Sequence, residues 1–140
     1  MAREIGIDFG TTNSVVSYIK DGKVKSLKFG RSFTIPTVVY FKTEHDIFIG
    51  GAALKKGDLN PRAMVRNFKP QIGKREKIQI KAEDGSVFER SYREIAKIFL
   101  NSLFDKANRK LMKTYHDDQN ISKAVITVPA KFSPIDKKNV

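Results

Sequence analysis

The residues best suited to chemistry lie close together between Ile5 and Asn13, in the segment IGIDFGTTN. Gly10 has no Cβ, so a tight turn there can bring several backbone N–H groups into one concavity that suits a phosphate. Thr11 and Thr12 add two hydroxyl donors, and the Asp8 carboxylate just before the turn could hold a hydrated divalent cation. The segment predicts a phosphate-binding turn; the alternative is an ordinary hairpin whose threonines only reflect β-propensity.

The elements on either side of this turn decide which kind of phosphate site it can be. Residues 5–9 alternate in the manner of a strand, and residues 14–20 predict a second strand. Asp21-Gly22 is a strong two-residue hairpin signal, and residues 23–29 alternate as a third strand. P-loop and dinucleotide-binding sites instead lead from a strand into a helix. The sequence therefore predicts a three-stranded antiparallel meander and disfavours both of those site classes.

The middle of the chain carries further strand signals. Residues 37–42 and 47–49 predict short strands that follow Pro36. Residues 78–82 and 86–90 flank a Glu-Asp-Gly turn and predict a second hairpin.

A long helix and a buried strand are predicted in the last third of the chain. Ser91 and Glu94 have the spacing of a capping box, and apolar residues recur behind them at spacings of three and four over about five turns. Residues 124–128 form a nearly continuous apolar run, as in a strand buried on both faces. Ser133-Pro134 has the pattern of a helix start.

Composition restricts the classes of protein that remain. The 140 residues are 40% hydrophobic and 30% charged, and cysteine is absent, which excludes disulfides and thiolate metal sites. No apolar run approaches the roughly 20 residues of a membrane span. The chain enters its first strand without a signal-peptide pattern, so we expect a cytoplasmic protein without a membrane partner.

The net charge of +12 raises the question of a nucleic-acid partner. The basic residues are spread along the whole chain, and aromatic residues do not alternate with them as stacking surfaces would. A solvated basic surface is therefore favoured over a nucleic-acid-binding module, which stays an alternative.

Several segments resemble the DnaK-type heat-shock chaperones, within the superfamily that also contains actin-like proteins and sugar kinases. The phosphate turn and the start of the next strand, DFGTTNSVV, resemble the first phosphate motif of these chaperones, and AVITVPAKF near the end resembles their Val-Pro-Ala-Tyr-Phe stretch. Three shorter matches occur in the same order, at Ile35–Val38, Gly50–Ala53 and Phe68-Lys69 with Ile72-Gly73. The likeness runs essentially end to end and is loosest between residues 74 and 118.

The resemblance implies a fold and a function. The fold would be α/β, an incomplete ribonuclease-H-like or actin-like ATPase lobe formed by residues 1–34 and 113–140, with a smaller α/β subdomain inserted at residues 35–112. The function would be that of an N-terminal fragment of an ATP-binding and ATP-hydrolysing chaperone that acts on unfolded polypeptide clients with co-chaperones. The alternative within the superfamily is an actin-like or sugar-kinase-like ATPase.

The resemblance also assigns roles to individual residues. Lys69 would be catalytic, placing and polarising the attacking water, and Asp8 would orient Mg²⁺ through its waters. Pro129 and Lys137 would couple the nucleotide state to a substrate domain. The phosphates of ATP or ADP would be held by four consecutive residues, Gly10, Thr11, Thr12 and Asn13.

Four positions depart from the family pattern. Pro70 stands where the family usually has an arginine, and Lys131 where it has a tyrosine. Asp136 and Lys137 replace a glutamine and an arginine, and a lysine lacks the bidentate fork of that arginine. These departures bear on interdomain coupling more than on nucleotide binding.

The family's second phosphate loop, adenosine pocket and general-base carboxylate are all expected beyond Val140. Phosphoryl transfer requires groups positioned from several sides of the phosphate. This chain alone is therefore expected to bind ATP weakly or not at all and to be inactive, whereas the full-length parent is expected to be an ATPase.

Overall fold

The computed structural model describes residues 3–115 and 121–127. Its elements follow one another along the chain as ten strands, two α-helices and two short 3-10 turns, counted within those ranges. The strands are β1 Arg3–Asp8, β2 Asn13–Lys20, β3 Lys23–Ser26, β4 Thr34–Pro36, β5 Val38–Phe41, β6 Ile47–Ile49, β7 Met64–Arg66, β8 Lys77–Lys81, β9 Val87–Ser91 and β10 Ile121–Thr127; the helices are α1 Gly50–Leu59 and α2 Tyr92–Tyr115; the 3-10 turns are Pro61–Ala63 and Lys69–Gln71.

The predicted opening meander is confirmed. β1 and β2 pair antiparallel, as do β2 and β3, and the β2–β3 turn has positive φ angles at both Asp21 and Gly22, as a type I′ turn requires. The third strand is shorter than predicted, because the chain closes a tight turn in which the backbones of Phe29 and Ser32 exchange hydrogen bonds of 2.8 and 3.1 Å.

Two strands complete this first sheet. β10 pairs parallel to β1, with Ile5 opposite Ala124 and Asp8 opposite Thr127, so the strand predicted at the end of the chain does join the opening sheet. β4 pairs antiparallel with the start of β2, from Asn13 opposite Pro36. The sequence analysis missed β4, because three residues ending in a proline carry almost no strand signal by themselves.

The remaining strands form two smaller sheets in the described ranges. β5 lies between β6 and β7, and β8 pairs with β9 in the predicted hairpin. The tip of that hairpin is held against the end of β5: the backbone N–H of Glu83 donates to the carbonyl of Phe41 at 3.1 Å, and the Tyr40 hydroxyl donates to the Glu83 carboxylate at 2.7 Å. Burial, followed by this hydrogen bond, raises the pKa of Tyr40. These contacts fix the hairpin to the sheet that precedes it.

The long helix α2 begins as the capping box predicts. The Glu94 N–H donates to the Ser91 hydroxyl at 3.1 Å, and the Ser91 N–H donates to the Glu94 carboxylate at 3.0 Å. The predicted apolar face is buried at five positions, Ile95, Phe99, Leu103, Ala107 and Leu111. The face packs into a cluster that also contains Ile5, Ile7 and Val16 of the first sheet.

Three phenylalanine rings lie at the centre of this cluster. Phe9, Phe68 and Phe99 are fully buried, and their ring centroids are 6.0 to 6.2 Å apart. These distances are within the usual range for aromatic pairs. They connect the end of β1, the segment after β7 and helix α2.

The described structure is mixed α/β, as predicted, and the division into a lobe and an inserted subdomain stays a prediction. No helix in the described residues is both long and apolar enough to span a membrane.

The capping box gives a stability prediction with a defined pH dependence. Ser91→Ala removes an N-cap hydroxyl, and we expect a loss of about 1 kcal/mol in the free energy of unfolding. The hydrogen bond from the Ser91 N–H lowers the pKa of Glu94. A carboxylate whose pKa is lowered on folding stabilises the protein above its ordinary pKa, and this contribution is lost as the pH falls through the lowered value.

Denaturant unfolding tests whether Glu94 stabilises the protein more at neutral pH than in acid. The wild type and Glu94→Gln are compared at neutral pH and at a pH below the ordinary pKa of glutamate. The wild type should be the more stable at neutral pH, and the difference should shrink in acid. A difference that is constant or grows in acid would show that the Glu94 charge does not stabilise the cap.

Candidate functional site

The candidate phosphate turn joins β1 directly to β2, as predicted. Asp8 ends β1, Asn13 begins β2, and both side chains are exposed. Thr11 is half-buried and Thr12 exposed, so the hydroxyl-bearing part of the turn faces solvent. A Cβ placed on Gly10 would overlap the carbonyl oxygen of Asn13. The turn is therefore a tight cradle that accepts only glycine at this position without moving its backbone.

Two polar residues that the sequence analysis did not single out hold the turn in place. The N–H of Thr37 donates to the carbonyl of Thr12 at 2.9 Å. The hydroxyls of Ser14 and Thr37 lie 2.8 Å apart, and both residues are buried. A buried hydroxyl pair satisfies both groups away from water, so it positions the turn against the segment after β4. The one signal in the sequence is that Ser14 occupies the position in β2 whose neighbours on the same face, Val16 and Tyr18, are apolar.

Lys69 is brought to the turn from 60 residues away. Its ammonium group donates to the carbonyl oxygen of Phe9, between Asp8 and Gly10, and lies 5.3 Å from the centroid of the Phe9 ring. The side chain is only 1% exposed. Burial of an ammonium is costly unless hydrogen bonds and charges compensate it. Lys69 is therefore not an ordinary surface lysine.

The residues on either side of Lys69 are compatible with its buried position. Asn67 has a positive φ of 56°, which turns the chain after β7, and the Phe68 ring then anchors it on Phe9 and Phe99. Pro70 lies in the first turn of the 3-10 segment, where its fixed φ fits and its missing N–H is not required. Proline at this position is thus compatible with a buried Lys69, and its own ring is exposed.

The arrangement offers opposite charges at one end of β1. The exposed Asp8 carboxylate precedes Phe9 in the chain, and the Lys69 ammonium contacts the Phe9 carbonyl. An anionic oxygen could be held by the turn near Lys69, and a cation near Asp8. The described residues contain no group of three or more His, Asp or Glu that could bind a metal by themselves. A single exposed carboxylate such as that of Asp8 could hold only a cation that keeps most of its waters.

Two of the residues with predicted roles, Pro129 and Lys137, lie outside the described residues, as do Lys131 and Asp136. The other predicted site residues, Asp8, Lys69 and the four residues of the turn, lie together at the end of β1.

Comparisons with known proteins agree on one family. The family model described as Hsp70 protein matches residues 4–140. The chain is 38% identical over 141 residues to a protein named Chaperone protein DnaK from Mycoplasma mycoides, 36% identical over 142 residues to one from Mycoplasmopsis synoviae, and 33% identical over 151 residues to one from Thermus thermophilus. These matches cover 95 to 99% of the chain but only 22 to 23% of each relative, so the chain spans less than a quarter of their length.

The close contact at Gly10 predicts a local stability effect. Gly10→Ala should lower the free energy of unfolding by about 1–3 kcal/mol, because the new methyl group overlaps the Asn13 carbonyl and the turn must open. Gly51→Ala is the matched control: Gly51 lies in the first turn of α1 with open space around its Cβ position, so the change should be neutral or stabilise by up to about 1 kcal/mol. Equal effects of the two changes in chemical denaturation would contradict the tight turn.

Proposed function

The chain belongs to the Hsp70 family, and on that premise we propose that it is the N-terminal part of an ATP-binding and ATP-hydrolysing chaperone that assists protein folding. The observation that carries the proposal is the burial of Lys69 with its ammonium group on the Phe9 carbonyl, inside the segment that forms the phosphate turn. A buried cation beside an exposed, Cβ-free turn suits the chemistry of a phosphoryl group and has no evident use in a plain hairpin.

The turn would hold the β- and γ-phosphates of ATP, and the phosphates of ADP after hydrolysis. Its backbone N–H groups and the hydroxyls of Thr11 and Thr12 are the donors, and Asn13 closes the cradle at the start of β2. The hydrogen bonds from Thr37 keep these donors in one geometry before the nucleotide arrives. Donors fixed in advance need little reorganisation when they meet the phosphate charge.

Lys69 would act on the reacting end of the nucleotide. Its ammonium is a compact charge suited to a single phosphoryl oxygen or to the water that attacks it. Because the side chain is buried, its charge is screened less than that of a surface lysine, and its interaction with a developing negative charge is stronger. We assign Lys69 to stabilisation of the transition state and the turn to binding.

Asp8 would orient Mg²⁺ through the waters of the ion. The carboxylate is exposed at the end of β1, so it can reach a hydrated cation beside the turn. The bound ion would supply charge neutralisation on the phosphate oxygens.

The remaining parts of the proposal concern the whole protein. Residues 1–34 and 113–140 would form the core lobe, and residues 35–112 the smaller subdomain. Pro129 would act as a hinge and Lys137 would take the place of the family's arginine in coupling to a substrate domain. Unfolded polypeptides would be the clients, co-chaperones the regulators, and the cytoplasm the location. The match to the DnaK proteins supports these assignments at the level of the family.

The division of roles between Lys69 and the turn can be tested in the full-length protein. Lys69→Ala should leave ATP affinity similar and lower the single-turnover rate of hydrolysis by about a hundredfold or more, the usual loss when one such electrostatic group is removed. Thr11→Ala should do the opposite, weakening nucleotide binding and sparing the rate from bound ATP. Calorimetry measures the ATP affinity of both variants, and single-turnover kinetics measures the rate at which each hydrolyses bound ATP.

Lys74→Ala serves as the control, since Lys74 is an exposed lysine five residues further along the chain. Lys69→Met keeps most of the buried alkyl chain and separates loss of charge from loss of packing. A Lys69→Met protein that is folded and hydrolyses ATP at the wild-type rate would refute the catalytic assignment.

The Asp8 assignment predicts a changed requirement for magnesium. Asp8→Asn removes the charge and keeps the shape, so the Mg²⁺ concentration for half-maximal hydrolysis should rise by about tenfold or more, as expected when a metal-orienting group is lost. Asp21→Asn is the matched control, because Asp21 is an exposed aspartate in the β2–β3 turn, where asparagine tolerates the positive φ. Identical magnesium titrations for the two variants would exclude the role of Asp8.

A further inference from the structure

Thr37 connects the strand beside the phosphate turn to the second sheet, the three-stranded sheet of β6, β5 and β7. β4 ends at Pro36 and pairs with the start of β2 in the first sheet, and β5 begins at Val38 as the middle strand of the second sheet. Thr37 is the single residue between these two strands, and it is only 1% exposed. A nucleotide bound on the solvent-facing side of the turn would therefore not touch its side chain.

Thr37 holds the second half of the turn at two points. Its N–H donates to the carbonyl of Thr12 at 2.9 Å, and its hydroxyl lies 2.8 Å from the hydroxyl of Ser14. Thr12 and Ser14 are the neighbours of Asn13 on either side, and Asn13 also pairs with Pro36 in the ladder between β2 and β4. The backbone of the turn is thus fixed where it enters β2.

The first half of the turn is fixed separately. The Lys69 ammonium donates to the Phe9 carbonyl, and the Phe9 ring is fully buried. Between these two attachments lie the four residues from Gly10 to Asn13, which are exposed or half-buried. A phosphate held there must meet several N–H groups that point into one concavity. If one attachment is lost, the turn has to be ordered on binding, and the entropy lost in that ordering weakens the affinity.

Stability alone does not require the hydroxyl pair. Ser14 and Thr37 are 0% and 1% exposed, and the neighbours of Ser14 on the same face of β2, Val16 and Tyr18, belong to the hydrophobic core. A hydrogen bond between two buried hydroxyls offsets the loss of their water, but apolar side chains of the same shape in both positions can be equally stable. A hydrogen bond differs from such apolar packing because it fixes a direction as well as a distance.

We infer that Thr37 is a positioning residue for the nucleotide. Its hydroxyl bond to Ser14 holds the second half of the turn in the geometry that binds phosphate, and it thereby sets the nucleotide affinity without touching the nucleotide. This inference rests on the proposed function, since it requires that the turn binds the phosphates of ATP or ADP. Because β5 is held between β6 and β7, the turn is anchored to the second sheet through Thr37.

The alternative is that the hydroxyl pair only stabilises the core, and the two roles predict different results. Removal of one hydroxyl leaves the other buried without its partner, which is destabilising, whereas removal of both relieves that loss. If the pair acts on stability alone, nucleotide affinity should fall in the single variants and recover in the double variant. If the pair positions the turn, affinity should stay low in the double variant, because the connection between Ser14 and Thr37 is still missing.

The test compares three variants of the full-length protein: Thr37→Val, Ser14→Ala and the double variant with both changes. Calorimetric titration with ADP and Mg²⁺ measures nucleotide affinity, because ADP is not consumed during the titration. The midpoint of denaturant unfolding without nucleotide measures stability. The double variant should unfold at a higher denaturant concentration than either single variant, whereas all three should bind ADP about fivefold or more weakly than the wild type.

Thr37→Ser separates the hydroxyl from the rest of the side chain. Serine keeps the hydroxyl and loses a buried methyl group, so this variant should be less stable than the wild type and still recover the ADP affinity that Thr37→Val loses. Thr34→Val is the matched control, because Thr34 lies in β4 and its exposed hydroxyl pairs with that of Ser32, at 3.0 Å, rather than with the turn. This control should leave ADP affinity unchanged.

The outcomes separate this inference from the proposed function. A wild type that does not bind ADP, or a Thr11→Ala protein that binds ADP as the wild type does, would overturn the proposed function and this inference with it. If Thr11→Ala weakens binding but Thr37→Val binds as Thr34→Val does, the turn binds nucleotide without Thr37, and the inference alone is wrong. It is also wrong if the double variant recovers both stability and affinity, because the pair then acts on folding alone.

Discussion

The contact between the Lys69 ammonium and the Phe9 carbonyl joins two elements of the candidate site that lie 60 residues apart in the chain. A buried ammonium needs a hydrogen-bond acceptor to offset the loss of its water. The Phe9 ring lies 5.3 Å from the ammonium and packs with Phe68 and Phe99, which come from two other parts of the chain. Helix α2 can supply Phe99 because its first turn is fixed by the reciprocal bonds of Ser91 and Glu94. The aromatic cluster beside the site thus includes a ring from a capped helix.

The contact between Lys69 and Phe9 belongs both to the buried core and to the proposed phosphate site. Two features position the phosphate turn. Gly10 allows its tight backbone, and the Ser14–Thr37 hydroxyl pair holds the turn against the segment after β4. Lys69 adds a buried positive charge next to the turn. A phosphate bound in the turn would meet donors whose directions are already fixed.

Local signals predicted most of the elements and part of the candidate site. The two hairpins, the capping box and the buried face of α2 follow from turn chemistry and periodicity within a few residues, and the structure confirms them. The shortening of β3 and the existence of β4 were missed, because both depend on how the Phe29–Ser32 turn returns the chain to β2. The need for glycine at position 10 was predicted from the motif, and its cause is a steric contact with Asn13 inside the same turn.

The sequence by itself determined where most of the strands, both hairpin turns and the long helix lie, because these elements arise from hydrogen bonds and steric contacts between near neighbours. Only the tertiary structure decided that Lys69 is buried at the turn after β1 and that Thr37 supports this turn through Thr12 and Ser14. Burial is a sum of contacts between residues far apart in the chain. A local spacing pattern does not record such contacts, because they form only when α2 and the sheets pack on one shared core.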